Sequence, residues 1–262
     1  MAIVLAMRFS TPKCVRRCVP KSKKARVAVI VFGGAFCVSA VFLRVHNVPV
    51  DPTEEDIAAI KIMMGENVRT TRPENYADQI AYIRQAQAAV ASVAEKQTPI
   101  PYKQTREPAD LVREKRGLCY DRSRTLEKIL RVAGFKARHV ALYTLPSECP
   151  TPTKIWRLAT DRTLKSHAVT ECLTDEGWLL VDSLHSWLSV DQADRPVALA
   201  DWNQHSSQWR APPPEDIYQH PFTAVYGLYS RHGAFYPPYT PIPDINWREF
   251  IHNAGRARGG SN

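Results

Sequence analysis

Three side chains that could together perform nucleophilic chemistry lie in two short stretches of the sequence. Cys119 follows Gly117 at the start of a predicted helix, and His167 and Asp182 lie on two predicted strands. A thiol nucleophile needs a site that favours the thiolate, a base, and a group that orients the base. The unpaired N–H groups at a helix start favour the thiolate. Cys119 is therefore the candidate nucleophile.

The two strands are predicted to form a hairpin that places His167 and Asp182 on one face. The turn is the stretch 174–177, whose residue types suit a tight connection. If Leu173 pairs with Trp178, His167 lies diagonal to Asp182, and diagonal neighbours are about 7–8 Å apart at Cα. A register shifted by one residue would separate them, whereas a shift of two would not. His167 is the predicted general base and Asp182 the group that orients it.

The remaining candidate site residues are polar groups in apolar surroundings. Gln87 lies on the apolar face of a predicted helix and is the candidate side-chain donor to an oxyanion, beside the backbone N–H of Cys119. Tyr102 and Gln104 are alternatives for that donor. His232, between two aromatic clusters, is the candidate for a substrate cleft.

The elements that must position these residues describe an α+β fold. Helices are predicted over 54–64, 71–96 and 118–133, and strands over 136–142, 167–173 and 178–182. This order indicates helices packed on an antiparallel sheet. Residues 145–165 are predicted to be a connection and 215–229 to be helical. The charged residues of the third helix are predicted to be mostly solvated, namely Arg122, Arg124, Glu127, Lys128 and Arg131.

Several motifs, in this order, resemble the transglutaminase-like superfamily. They are Gly117-Leu118-Cys119, the stretch 130–138, His167-Ala168, and Gly177-Trp178 ahead of Asp182. The resemblance implies a papain-like α+β fold with Cys119, His167 and Asp182 as the triad, acting on peptide or isopeptide amides through a Cys thioester. The chain lacks the aromatic-rich motif and the acidic calcium loop of the animal cross-linking enzymes. A compact bacterial peptidase or amidase is therefore as well supported as an acyltransferase.

The positive charge is concentrated at the N-terminus. The formal charge is +9, with 35 Lys and Arg against 26 Asp and Glu. Eight of the basic residues precede Val27 and no acidic residue precedes Asp51, so the rest holds 27 against 26. A nearly neutral body argues against nucleic-acid binding. The chain has no zinc-ligand spacing after its leader C-x₃-C pair and no phosphate-loop motif, so we expect no metal and no cofactor.

An apolar segment follows the basic leader. Val27 to Leu43 contains 17 residues without a charge, enough for a helix about 25 Å long. This pattern predicts a transmembrane signal anchor in an inner membrane, with the N-terminus cytoplasmic and the body periplasmic. Small residues near Ala40 leave signal-peptide cleavage and secretion as the alternative. Of the body's cysteines, Cys149 and Cys172 could pair, and the odd total of three leaves one thiol unpaired.

The sequence thus predicts six parts and two alternative functions. The parts are a leader (1–26), an anchor or signal peptide (27–43), a linker (44–52), a catalytic core (53–185), an aromatic and proline-rich wrap (186–254) and a tail (255–262). The first function is a membrane-tethered thiol enzyme acting on peptide or protein amides. The second is a catalytically idle fold that serves as a binding or scaffold module in an envelope assembly. The intact Cys119, His167 and Asp182 set favours the enzyme.

Overall fold

The structure is a computed structural model that divides the chain into units 1–46 and 47–262. It describes residues 33–35, 37, 39–41, 43–44, 47–101, 104–145, 151–204, 209–214, 216–230 and 244–256. In the first unit, the described positions from 33 to 44 are helical. The predicted leader and part of the predicted anchor lie outside the described residues. Among those that are described, no helix has the length and apolar character needed to cross a membrane.

The second unit is an α+β structure, as the sequence predicts. Its described helices are α1 (Glu54–Met64), α2 (Tyr76–Val93), α3 (Pro108–Glu114), α4 (Cys119–Val132), α5 (Thr151–Thr160) and α6 (Trp247–Arg256). Its described strands are β1 (Lys136–Tyr143), β2 (Ser166–Thr174), β3 (Gly177–Asp182), β4 (Trp187–Leu188), β5 (Thr223–Tyr226), β6 (Leu228–Tyr229) and β7 (Asp244–Ile245).

The main sheet has five antiparallel strands in the order β4-β3-β2-β1-β5. Within the hairpin of β2 and β3, Leu173 pairs with Trp178 and Thr174 with Gly177. The predicted register is therefore confirmed, and with it the shared face of His167 and Asp182. Gly177 has a φ of 133°, a backbone conformation that L side chains rarely adopt and that glycine permits.

The two faces of the sheet are covered by different parts of the chain. On one face, α1, α2 and α4 bury an aliphatic core that includes Ile83, Leu126 and Val181. On the other, residues of the C-terminal segment form a cluster of aromatic rings against β1, β2 and β3. We call it the aromatic cover, and its rings are Trp187, Trp202, Trp209, Tyr218, Phe222 and Tyr226.

Three local predictions are wrong. The connection 145–165 contains the helix α5, and the stretch 215–229, predicted helical, contains a 3₁₀ turn at 216–219 followed by β5 and β6. The C-terminal segment is more than a wrap, because β5 pairs with β1 as the fifth strand of the main sheet. Neither face of β5 is open to solvent, because Thr223, Val225 and Tyr226 are buried and Ala224 is half-buried.

The charged face of α4 is buried, contrary to the prediction that it is solvated. Lys128 Nζ lies 2.9 Å from Asp56 Oδ2, and Arg124 Nη2 lies 3.0 Å from Glu107 Oε1. Lys128 is only 1% exposed. The residues preceding α1, the start of α3 and the C-terminal helix α6 cover this face. A charged residue can be buried in this way when it is paired and hydrogen-bonded.

Candidate active site

The three predicted site residues lie at the ends of three elements. Cys119 is the first residue of α4, His167 is the second residue of β2, and Asp182 is the last residue of β3. The turn before α4 is tight at Gly117. A Cβ added there would lie 2.7 Å from Leu111 Cδ1 and 3.0 Å from Asp121 Cβ. The glycine therefore allows α3 and α4 to approach closely just ahead of the thiol.

The structure brings Cys119, His167 and Asp182 together at one place. His167 Nε2 lies 2.9 Å from Asp182 Oδ2, and the side chain of Cys119 lies beside the His167 ring, near enough to raise the pKa of the imidazole. Because Nε2 is used by Asp182, Nδ1 is the ring nitrogen available to the thiol. His167 and Asp182 are buried, whereas Cys119 is partly exposed. The sulfur is thus the member of this group that a substrate can reach.

The environment of His167 favours its protonated form. Burial alone would lower the pKa of the imidazole, but its interactions with Asp182 and Cys119 outweigh burial and raise the pKa to about 10. His167 is therefore a cation at neutral pH. An imidazolium beside a cysteine side chain is an arrangement that can serve nucleophilic catalysis.

The carboxylate of Asp182 accepts hydrogen bonds from residues that sequence reasoning did not assign to the site. Tyr218 donates its hydroxyl to Oδ2 at 2.8 Å, and the backbone N–H of Leu184 donates to Oδ1 at 2.9 Å. His185 Nδ1 lies 3.4 Å from Oδ2. Burial raises the pKa of Asp182, but the hydrogen bonds from His167, His185 and Tyr218 hold it well below its usual range.

Sequence signals for these two residues were weak. The sequence gives no motif that assigns a role to His185, although it comes only three residues after Asp182, in the turn that follows β3. Tyr218 is far from Asp182 in sequence and lies on a 3₁₀ turn. Its aromatic neighbours indicate burial, but no spacing rule connects it to β3.

Gln87 is not an oxyanion donor in this structure, so that prediction is wrong. Its Nε2 donates to the backbone oxygens of Asp182 and Trp187, each at 3.0 Å. An amide nitrogen has two hydrogens, and both are used. Gln87 is a positioning residue that joins α2 to the end of β3 and the start of β4. Gln87 is buried on its helix face, as predicted, and these two hydrogen bonds satisfy the donors of its side-chain amide.

Two charged residues of α4 fix the backbone around Cys119. Arg122 donates from Nε to the oxygen of Gly117 at 3.0 Å and from Nη2 to the oxygen of Ala94 at 2.6 Å. Asp121 accepts from the backbone N–H of Leu118 at 2.9 Å and pairs with buried Arg106 at 2.9 Å. Both residues therefore position the turn that carries the thiol.

The other candidates have different outcomes. Gln104 donates from Nε2 to Glu114 Oε1 at 2.9 Å and does not take part in the contacts described above for Cys119, His167 and Asp182. Tyr102, His232 and Cys149 lie outside the described residues. Ser123 Oγ and His139 Nδ1 are 2.9 Å apart, but both side chains are buried behind α4, so no substrate reaches them.

One group of described side chains has a spacing that could hold a metal ion. His167, Asp182 and His185 each offer one ligand atom, and these atoms lie within 4.8 Å of one another. Their mutual hydrogen bonds already account for this spacing. We therefore assign the group to orientation of His167.

Comparison with known proteins identifies the family of this segment. The sequence model of the transglutaminase-like superfamily matches residues 63–183. A search of curated proteins finds no significant match. The crystal structure of Rad4-Rad23 bound to a 6-4 photoproduct UV lesion is similar over 68% of this chain, with 8% identity and a TM-score of 0.36. The aligned region spans 44% of that chain.

The structure consists of helices packed on an antiparallel sheet, and a cysteine at a helix start lies beside a histidine from the sheet. This arrangement is a papain-like α+β fold. Residues 63–183 form a domain of the transglutaminase-like superfamily. The resemblance inferred from the order of motifs is confirmed, and the matched region contains Cys119, His167 and Asp182.

Proposed function

We propose that this protein is a thiol enzyme that transfers or hydrolyses the acyl group of peptide or isopeptide amides. The observation that carries the proposal is the position of His167, which hydrogen-bonds Asp182 and lies beside the side chain of Cys119. A cysteine that only packs in a core has no need of a buried histidine and carboxylate beside it. Partial exposure of Cys119 gives an amide access to the sulfur.

In the proposed reaction, the Cys119 thiolate attacks the amide carbonyl carbon. The resulting tetrahedral intermediate collapses, the carbon–nitrogen bond breaks, and the proton of the His167 imidazolium passes to the leaving amine. A thioester remains on Cys119. Neutral His167 then removes a proton from water or from an acceptor amine, whose attack on the thioester releases the acyl group and the thiol.

The negative charge of the tetrahedral intermediate needs hydrogen-bond donors. The backbone N–H of Cys119 is at the first position of α4, where the helix itself provides no acceptor. We assign this N–H as the donor to the oxyanion. Asp182 holds His167 in the orientation and charge state that the thiol requires.

Residue-resolved alkylation of the full-length protein tests the proposal. We expect iodoacetamide at pH 6 to modify Cys119 faster in the folded protein than in the urea-unfolded protein, because the neighbouring imidazolium favours the thiolate. His167→Ala should abolish the difference. The matched control is His220→Ala, which removes an exposed histidine that lies 3.2 Å from Asp216.

Two outcomes would overturn the enzyme proposal. One is alkylation of Cys119 that is no faster than that of the urea-unfolded protein. The other is equal alkylation in wild type and His167→Ala. Either result would favour the idle scaffold. If alkylation behaves as expected, a peptide library compared between wild type and Cys119→Ala would identify the amide that is cleaved or transferred.

We also propose that the domain acts outside the cytoplasm, attached through the segment 27–43. The basic leader, the uncharged stretch that follows it, and the absence of acidic residues before Asp51 support this location. Cleavage near Ala40 would give a secreted form of the same domain.

A further inference from the structure

A second cleft opens on the sheet face that carries His167 and Asp182, at the other end of the strands. Its volume is about 380 Å³, and β1, β3, β5 and α6 contribute to its walls. Trp178 in this cleft precedes Asp182 by four residues on β3, or about 13 Å at the rise of a strand. Leu180 lies between them, buried under the aromatic cover. The cleft is therefore separate from the thiol site.

Arg138 is held rigidly in the wall of this cleft. Its Nε donates to Glu171 Oε2 at 2.9 Å, and its Nη2 lies 2.7 Å from the same oxygen. Its guanidinium carbon lies 3.9 Å from the ring centre of Trp178 and 4.4 Å from that of Tyr226. Glu171 is fixed in turn, because it accepts from Tyr226 Oη at 2.9 Å. Among the described residues, no hydrogen bond uses the remaining amino group of Arg138, Nη1, and Arg138 lines the cleft.

Two further cations border the cleft without neutralising partners. Lys136 contacts the ring of Trp178 at 5.7 Å. Neither Lys136 nor Arg248 forms an ion pair with any residue that the structure describes, and both are exposed. A planar guanidinium and an ammonium group are both effective partners for oxyanions.

The acidic groups of the cleft do not balance this charge. Arg138 is paired with Glu171, and Arg131 with Glu127 and Glu249. The cleft-lining charges left over are Lys136 and Arg248 against Asp51. Glu249 is itself engaged, with Arg131 at 3.0 Å and the hydroxyl of Tyr229 at 3.0 Å. The cleft thus presents excess positive charge beside an aromatic ring.

We propose that this cleft binds a small organic anion through a phosphate or carboxylate group. The guanidinium of Arg138 is already held in place by Glu171 and two aromatic rings, and such preorganisation lowers the entropic cost of binding. Lys136 and Arg248 complete the charge around the anion, and Trp178 offers an apolar surface to the rest of the ligand. The volume falls within the range of about 300–1,000 Å³ typical of small-molecule sites.

Isothermal titration calorimetry of the full-length protein with pyrophosphate and with citrate tests the assignment. The test variant is Lys136→Gln/Arg248→Gln, which removes two charges that no described partner needs. We expect the dissociation constant of the anion to rise about tenfold or more in this variant, because charge-assisted contacts are lost. The matched control, Lys61→Gln/Arg84→Gln, removes two exposed charges from α1 and α2.

The comparison of probes and variants decides the outcome. Binding of either probe that is weakened in the cleft variant and retained in the control supports the site. A preference for pyrophosphate indicates a phosphorylated ligand, and a preference for citrate indicates a carboxylate. Absence of binding by both probes, equal binding in the cleft variant, or equal weakening in the control would overturn it.

Discussion

Asp182 is the residue on which the contacts of the thiol site converge. Its two oxygens accept from His167, Tyr218, His185 and the backbone of Leu184. These bonds hold the pKa of the carboxyl low despite its burial. A permanent negative charge at this point keeps His167 protonated. The reactivity of Cys119 therefore depends on a hydroxyl and a backbone turn that never touch the sulfur.

The first prediction concerns Tyr218. Tyr218→Phe removes the 2.8 Å hydrogen bond to Asp182 Oδ2 and leaves the ring. The carboxylate is then less stabilised, and the pKa of His167 falls, so the imidazolium beside Cys119 is less favoured. We expect about tenfold slower alkylation of Cys119 at pH 6, equivalent to about 1.4 kcal/mol.

The matched control for this prediction is Tyr76→Phe, which removes a hydroxyl that bonds the backbone of Asp194 at 2.7 Å away from the thiol site. Its alkylation rate should equal that of wild type. An unchanged rate in Tyr218→Phe would show that Asp182 does not need this donor.

At the scale of elements, the local sequence of α4 predicts its bounds but not the burial of its charged face. The bounds of α4 were predicted closely, because its leucines recur with the helical period and Gly134 indicates where the helix ends. Its charged face was predicted wrongly, because the segments that bury it come from the beginning and the end of the domain. Likewise, the register of β2 and β3 follows from a local turn, whereas β5 pairs with β1 about 80 residues away.

The second prediction concerns the connection between α2 and α4. Arg122→Met removes the donors to the backbone oxygens of Gly117 and Ala94 while keeping an unbranched side chain. Two buried carbonyl groups lose their charged partner, so we expect the free energy of unfolding to fall by about 2–4 kcal/mol. Urea denaturation measures the change.

Arg84→Met is the control, since Arg84 is an exposed position on α2. Its free energy of unfolding should stay within about 0.5 kcal/mol of wild type, as for most surface substitutions. Equal stability of wild type and Arg122→Met would contradict the role assigned to Arg122.

The third prediction concerns the contact of β1 with α4. Burial, and to a lesser degree the charge of Arg124, lowers the pKa of His139 from 6.5 to about 3. The unfolded chain therefore binds a proton below pH 6.5 that the folded chain does not bind until about pH 3. This difference removes about 1.4 kcal/mol of stability per pH unit of acidification through that window.

Urea denaturation between pH 7 and pH 4 checks this expectation. His139→Gln keeps an acceptor for Ser123 and has no group that titrates there, so its free energy of unfolding should fall less steeply with acid. Parallel curves for wild type and variant would exclude His139 as the source.

At the scale of the whole molecule, the C-terminal segment completes the domain. It supplies β5 to the sheet, Tyr218 to Asp182, and Glu249 to the buried face of α4. Composition alone predicts that its tryptophans cover a core. It does not reveal which strand they lie beside, because such contacts depend on the final path of the chain.

The fourth prediction concerns the location of the domain. A phosphatase reporter fused after His46 should be active only on the far side of the inner membrane, because the basic leader keeps the N-terminus in the cytoplasm. Replacing the leader's lysines and arginines with glutamine should reduce the exported fraction. A reporter that remains cytoplasmic in the unaltered chain would refute the anchor.

The fifth strand has a consequence for how the protein is made. A nascent chain that has just acquired Asp182 already contains the thiol and the histidine, but it lacks Tyr218 and the strand that closes the sheet beside β1. Chains grow from the N-terminus, and domains fold as units. In the enzyme that we propose, Cys119 therefore gains its complete set of supporting contacts only after residues 216–226 have been synthesised and have packed against the rest of the domain.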